Sequence, residues 1–157
     1  MIGTNGTHIV LDLWGVEAVK LDNKRLIKQL LTEAATYSNA TVLKTFFHKF
    51  EPVGVTGVVV ISESHISIHT WPQEGYASVD IYTCGLQSFP ERAMLYLIER
   101  LGASKYSIVG MDRGGNGRTS ITLRSPVPST SLAPIMKGVP NVIAQKESTE
   151  EEGKTGS

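Results

Sequence analysis

Apolar and polar residues alternate along this chain in two distinct periods. From Thr7 to Trp14 the run Thr-His-Ile-Val-Leu-Asp-Leu-Trp alternates in part, which predicts a strand. Leu26, Ile27, Leu30, Leu31, Ala34 and Ala35 then fall on one stripe at helical spacing, with Asp22 as the expected cap and Asn39 as the expected stop. Thr41 to Phe50 is β-branched and aromatic and reads as a second strand, and Gly54 breaks the chain after it. Thr56 to Ile61 is a continuous apolar run of strand length, so it is expected to be buried. Ser67 to Trp71 is extended and stopped by Pro72. Tyr76 to Thr83 sets Tyr, Ser, Asp, Tyr against Ala, Val, Ile, Thr, as a strand with one buried face should. Ser88-Phe89-Pro90-Glu91 reads as a capping box opening a helix to about Gly102. Tyr106 to Met111 and Thr119 to Leu123 complete the set, joined by the turn Gly114-Gly115-Asn116-Gly117.

The order predicts an α+β domain. Short connections between neighbouring strands imply a largely antiparallel sheet with two helices on one face, a two-layer sandwich. A faint twofold repeat of strand, helix, strand, strand runs through it. Val58, Val60, Ile66, Ile68, Val79 and Ile81 compete for buried positions. A dimer packing sheet on sheet would cover the second face. From Ser125 onward the composition turns to Pro, Ser, Thr, Lys and Glu, and residues 144–157 hold no aromatic and no large aliphatic residue. The expected division is one folded domain over 1–124 and a disordered tail over 125–157.

Bulk properties narrow the function classes. The chain has 157 residues and 41% hydrophobic content, enough for one real core. Lys plus Arg and Asp plus Glu both number 15, so no charge surplus argues for nucleic acid. No apolar run is long enough to span a bilayer, and the start, Met1 to Gly6, lacks the pattern of a signal peptide. The single cysteine, Cys84, excludes an internal disulfide and fits a reducing cytoplasm.

One segment changes the picture. Ile61-Ser62-Glu63-Ser64-His65-Ile66-Ser67-Ile68-His69-Thr70-Trp71-Pro72 follows Gly54-Val55-Thr56-Gly57-Val58-Val59-Val60 and precedes Gly75-Tyr76-Ala77-Ser78-Val79-Asp80-Ile81-Tyr82-Thr83-Cys84-Gly85, with Phe46-Phe47-His48-Lys49-Phe50 upstream. This stretch resembles the prokaryotic S-adenosylmethionine decarboxylases over residues 5 to 113. A serine in a strand is ordinarily a solvent-facing hydroxyl; only the extended motif gives Ser64 another reading. The resemblance implies that the Glu63–Ser64 bond breaks itself and that Ser64 becomes a covalent pyruvoyl group, with no metal and no pyridoxal phosphate. The chemistry is available to a serine: its hydroxyl can attack the preceding carbonyl, and β-elimination from the resulting ester leaves dehydroalanine, which hydrolyses to pyruvoyl and ammonia. A substrate amine would then form a Schiff base with the carbonyl, which draws in the electrons released by decarboxylation.

The same resemblance assigns further roles. His69 matches the proton acceptor in processing, and an imidazole suits that task near neutral pH. Ser64 and His69 are five residues apart, so a regular strand would set them on opposite faces unless the chain bends. Cys84 matches the residue that protonates the product carbon. Thr56 stands where the family has a processing serine, and it keeps the hydroxyl. Phe50 and His69 match the pair that sandwiches adenine, with Trp71 and Glu74 as further substrate-binding candidates. After Trp71-Pro72 the family has glutamate where this chain has Gln73, followed by Glu74. Phe47 reads as a core residue, and neither His8 nor His48 acquires a role from its spacing. The implied partners are S-adenosylmethionine and a second copy of the cleaved, two-chain protomer, with the product serving spermidine biosynthesis.

Other readings are weaker. His65 and His69 suggest a zinc pair, but the Ile66-Ser67-Ile68 filling is that of a strand, on which they would lie about 13 Å apart. A serine hydrolase would need a Gly-x-Ser-x-Gly elbow, which is missing around Ser64. Arginine or ornithine decarboxylation on the same scaffold is the main alternative, and it would need carboxylates in place of the adenine-stacking aromatics. An inactive homologue that binds a partner would be expected to have lost Ser64, His69 or Cys84, and all three are present.

Overall fold

The computed structural model describes residues 4–85 and 87–115, and the backbone of a last strand, 121–128. Seven strands form a single sheet: β1 (Gly6–Trp14), β2 (Thr41–Lys49), β3 (Val55–Ser62), β4 (Ser64–Trp71), β5 (Tyr76–Cys84), β6 (Lys105–Arg113) and β7 (Ile121–Pro128). Their spatial order is β2-β3-β4-β5-β1-β6-β7, and every neighbouring pair is antiparallel. A short helix α1 (Ala18–Leu21), a long helix α2 (Lys24–Tyr37) and a third, α3 (Pro90–Leu101), complete the domain. The α+β sandwich expected from the patterning is the observed fold.

The helix stripe does what its spacing predicts. Ile27, Leu30, Leu31, Ala34 and Ala35 of α2 are buried, as are Ala93, Met94, Leu97, Ile98 and Leu101 of α3. The two helices pack on one another and on the same face of the sheet. That face supplies Ile9, Leu11 and Leu13 from β1, Val59 and Ile61 from β3, Ile66 and Ile68 from β4, and Ala77, Val79 and Ile81 from β5. Burying such side chains removes roughly 1.5–3 kcal/mol of apolar exposure each, which is the main support of the fold.

Five sequence expectations need correction. The cap of α2 is Asn23, whose side chain accepts from Leu26 N–H at 3.0 Å. Asp22, one residue earlier, instead accepts from Gly54 N–H and from Lys49 Nζ, both at 2.8 Å. Ser88 caps nothing: α3 opens at Pro90, with Phe89 at the cap and no side-chain hydrogen bond there. Proline fixes the first turn without needing a donor, so the box was superfluous. The strand predicted to start at Ser67 begins at Ser64 and runs unbroken to Trp71.

The fourth concerns the second face. Ile66, Ile68, Val79 and Ile81 are all buried under the helices, so of the six competing residues only Val58 and Val60 stand on the second face. The open face carries Val58 and Val60 among mostly polar or amphipathic groups, including His65, His69, Asp80 and Tyr82. Period-2 patterning sorts a strand into two faces but does not say which face the helices cover. Strand β7 also reaches Pro128, beyond the predicted Leu123, with a register irregularity opposite Tyr106–Ile108. As the outermost strand it accommodates Pro126 and Pro128, which an inner strand could not. The turn residues Asn116 and Gly117 and the tail from 129 to 157 lie outside the described residues.

Candidate active site

The β3–β4 hairpin is closed by only two residues, Ser62 and Glu63, between the paired Ile61 and Ser64. Two-residue hairpins favour glycine or asparagine because they require positive φ. Neither Ser62 nor Glu63 takes it; the departure falls on Ser64, at φ 152°. An L-residue rarely adopts that backbone conformation, so the peptide unit joining Glu63 and Ser64 is the strained point of the hairpin. Register pairs Ser64 with Ile61 and Thr83, both nearly fully buried on the helix side. The distorted backbone nevertheless brings Ser64 Oγ to 3.7 Å from Cys84 Sγ.

His69 is elsewhere on the same strand. It is paired with Thr56 of β3 and Ser78 of β5, and its Nδ1 shares a 2.9 Å hydrogen bond with Thr56 Oγ1. Five residues of unbroken strand separate it from Ser64, about 16 Å at about 3.3 Å per residue. No bend in β4 brings them together. The chain therefore assembles two pairs, Ser64 with Cys84 and Thr56 with His69, at two places on the sheet. His65 and His69 share β4 at strand spacing, and among the described residues no group of three or more His, Cys, Asp or Glu is gathered to hold a metal.

A cleft of about 370 Å³ opens beside the second pair, lined by Phe50, Val53, Thr56, His69, Thr70, Trp71 and Gln73. Its shape depends on the β2–β3 loop. Phe50 N–H donates to Gly54 O at 2.8 Å, and Gly54 takes φ 112°, with Thr70 O only 3.1 Å from where a Cβ would stand. Asp22 anchors this loop from outside; the Lys49 ammonium and then the Gly54 N–H hold its carboxyl below the usual value of 3.8. Beneath the cleft the buried Thr70 hydroxyl donates to Leu21 O and accepts from Val55 N–H, each at 2.8 Å. On the far side Trp71 stacks on Tyr76 at 5.1 Å and Tyr76 on Trp14 at 5.7 Å. Burial, then the hydrogen bond to Asp12 at 2.5 Å, pushes the Tyr76 phenol up to about 12. Glu74 is exposed in the short 3-10 turn after Trp71, while its neighbour Gln73 reaches the cleft. His48 meets Phe50 edge-on at 4.7 Å at the cleft margin.

Ser64, Cys84, Thr56 and His69 are among the residues on which the sequence resemblance rests. A family model described as S-adenosylmethionine decarboxylase matches residues 7–114. This chain belongs to that family. The S-adenosylmethionine decarboxylase proenzyme of Pseudomonas paraeruginosa is 44% identical over 121 residues, covering 76% of each chain. That of Caldicellulosiruptor saccharolyticus is 47% identical over 109 residues, 69% of this chain and 88% of the relative. The crystal structure of the Aquifex aeolicus adenosylmethionine decarboxylase superposes with a TM-score of 0.68 at 44% identity, covering 75% of this chain and 98% of that one. A Trypanosoma brucei AdoMetDC monomer shares the fold at 14% identity and a TM-score of 0.52, over 67% of this chain and 45% of that one.

Sequence reasoning missed a cluster on the open face, in which His8, held by Asp80, and Arg113 meet the ring of Tyr82. The alternation of β5 already placed Tyr82 and Cys84 on one face. What the sequence lacked was the register that sets His8 of β1 opposite Tyr82.

Proposed function

We propose that this chain is an S-adenosylmethionine decarboxylase proenzyme that cleaves itself between Glu63 and Ser64 and carries a pyruvoyl group made from Ser64. The observation that carries the reading is the positive φ of Ser64 in a two-residue hairpin, with Cys84 Sγ 3.7 Å from its hydroxyl. A backbone forced out of its relaxed range lowers the barrier to rearrangement at that bond, and strain of this kind is kept where function uses it. Attack by Ser64 Oγ on the Glu63 carbonyl relieves it.

The surroundings of the other residues support the roles assigned to them in this reading. The Thr56 hydroxyl orients the His69 imidazole, which suits the imidazole to take the Ser64 α-proton once the ester has formed. The thiol of Cys84 is the donor nearest the reacting position and supplies the proton that replaces carbon dioxide. A pyruvoyl group formed from Ser64 would supply the carbonyl for Schiff-base formation and the electron sink for decarboxylation. The cleft by Phe50, His69 and Trp71 suits the adenine ring and the sulfonium, both of which favour aromatic faces. No carboxylate is among the residues lining it, which favours this substrate over arginine or ornithine. Gln73 is positioned to meet the ribose hydroxyls with an amide.

The separation of about 16 Å along β4 requires that the two pairs meet in another way. A homodimer packed open face to open face achieves this: Ser64 and Cys84 of one copy face Thr56 and His69 of the other. The reading places the cleaved enzyme in a reducing compartment such as the cytoplasm, since Cys84 must remain a thiol.

The test is the intact mass of the purified protein, followed by carbon dioxide release. Fragments spanning residues 1–63 and 64–157, the second lighter by one ammonia than a serine-terminated fragment, support the reading. Carbon dioxide released from S-adenosylmethionine and not from arginine or ornithine supports the substrate. A single uncleaved mass after long incubation overturns both.

A further inference from the structure

Tyr82 has no part in the chemistry above, yet its ring lies across the strand pair that carries Cys84. Gly6 of β1 is the cross-strand partner of Cys84. A Cβ on Gly6 would stand 2.6 Å from Tyr82 Cε2 and 2.8 Å from the phenol oxygen. Only glycine leaves that room, so the phenol is seated over the Gly6–Cys84 pair itself. Around the ring stand His8 of β1 at 5.5 Å, His65 of β4 at 6.1 Å and the Arg113 guanidinium of β6 at 4.6 Å. Asp80 of β5 holds His8 Nε2 at 3.0 Å, and Arg113 approaches His8 Nδ1 at 3.5 Å. With Cys84 these are the titratable and charged groups that face Tyr82 from the strands packed around it.

We propose that Tyr82 is a positioning residue for Cys84: its hydroxyl keeps the thiol aimed at Ser64 and donates to the thiolate left when the proton has gone. The inference rests on the decarboxylase reading. In the step concerned, the S–H bond of Cys84 breaks and its proton passes to the substrate carbon that has lost carbon dioxide. That carbon's electron pair forms the new C–H bond. The sulfur keeps the old bonding pair as a thiolate, and solvent returns a proton to it before the next turnover. A donor beside the sulfur lowers the energy of the thiolate and so of the transfer. The phenol can serve as that donor at neutral pH: its hydrogen bond to Cys84, and then burial, hold it above its ordinary value of 10.0, with Arg113 opposing. His8, His65 and Arg113 pack around the ring and hold its plane.

The test is Tyr82→Phe, which keeps the ring and removes the donor. Cys84 is the only cysteine in the chain, so the pH dependence of alkylation by iodoacetamide reports its thiol alone. The expected result is a thiol midpoint at higher pH, with alkylation at neutral pH slowed about three- to tenfold. Self-cleavage completes, KM for S-adenosylmethionine is unchanged, and kcat falls while the alkaline limb of its pH profile moves up with the thiol. An unchanged alkylation profile overturns the proposal. So does a fall in kcat without movement of the alkaline limb, which is what a structural role would give. A wild-type enzyme that cleaves but releases no carbon dioxide defeats the decarboxylase reading instead, and the alkylation comparison still decides the contact between Tyr82 and Cys84.

Discussion

Ser64 Oγ and Cys84 Sγ lie 3.7 Å apart across β4 and β5, although the register sets Ser64 opposite Thr83. The positive φ of Ser64 re-aims one side chain at the end of an otherwise regular ladder, and the hairpin turn makes this possible. In the proposed reaction the pair joins the bond that breaks to the proton donor used afterwards, and its two members are separable by mutation.

Ser64→Ala should give a single chain of full mass with no decarboxylase activity. Cys84→Ala should still cleave, because the thiol acts after processing, but its kcat should fall about 10²- to 10⁴-fold, the usual worth of a positioned proton donor. Mass spectrometry and carbon dioxide release separate the two. An intact Cys84→Ala chain would contradict this division of roles.

The open-face dimer makes a sharper prediction. Ser64→Ala and His69→Ala chains each fail alone, for different reasons. Mixed in one dimer, the first supplies His69 and the second supplies Ser64 and Cys84, so half of the sites are complete. Co-expression of differently tagged chains should therefore yield cleavage of the His69→Ala chain only. If neither chain cleaves in the mixed dimer, the two pairs do not meet across the interface.

Thr56→Val should slow self-cleavage by about tenfold or more by removing the hydrogen bond that orients His69, while Thr56→Ser should cleave at least as fast as the wild type. The rate of appearance of the residue 64–157 fragment measures both.

Thr70→Val tests the floor of the cleft. It leaves the Val55 N–H without its acceptor and removes the donor to Leu21 O, in a buried position. The expected loss is about 1–3 kcal/mol in urea unfolding.

Asp22 gives a pH dependence of known sign. Its carboxyl is lowered from 3.8 by Lys49 and by Gly54 N–H. A depressed folded value means that the unfolded chain binds the proton first, so the contribution is complete above pH 3.8 and is lost as pH falls through the lower folded value. Asp22→Asn should lower Tm at pH 7, and its difference from wild type should vanish in that acid window.

The sequence by itself determined a good deal. Period 2 and period 3.6 located the strands and the helices, because those periods are fixed by backbone geometry and burial. The Glu63-Ser64 motif with His69 and Cys84 pointed to the family whose model matches the chain, since few other contexts assemble these residues in one short stretch. Boundaries proved weaker. Asp22 and Asn23 are equally good caps on paper, and only the approach of Gly54, thirty-two residues away, assigns Asp22 to the loop. The tertiary structure decided what local pattern cannot encode. It chose which strand face the helices cover, and so left Val58, Val60, His65, His69 and Tyr82 together on the open one. Through the register of β1 against β5 it gathered His8, Tyr82 and Cys84 from separate parts of the chain. It also showed β4 to be straight, so that Ser64 and His69, close in sequence, are distant in space. Sequence spacing is a contour length; distance across a sheet depends on pairings between remote segments, and those are fixed only when the whole core packs.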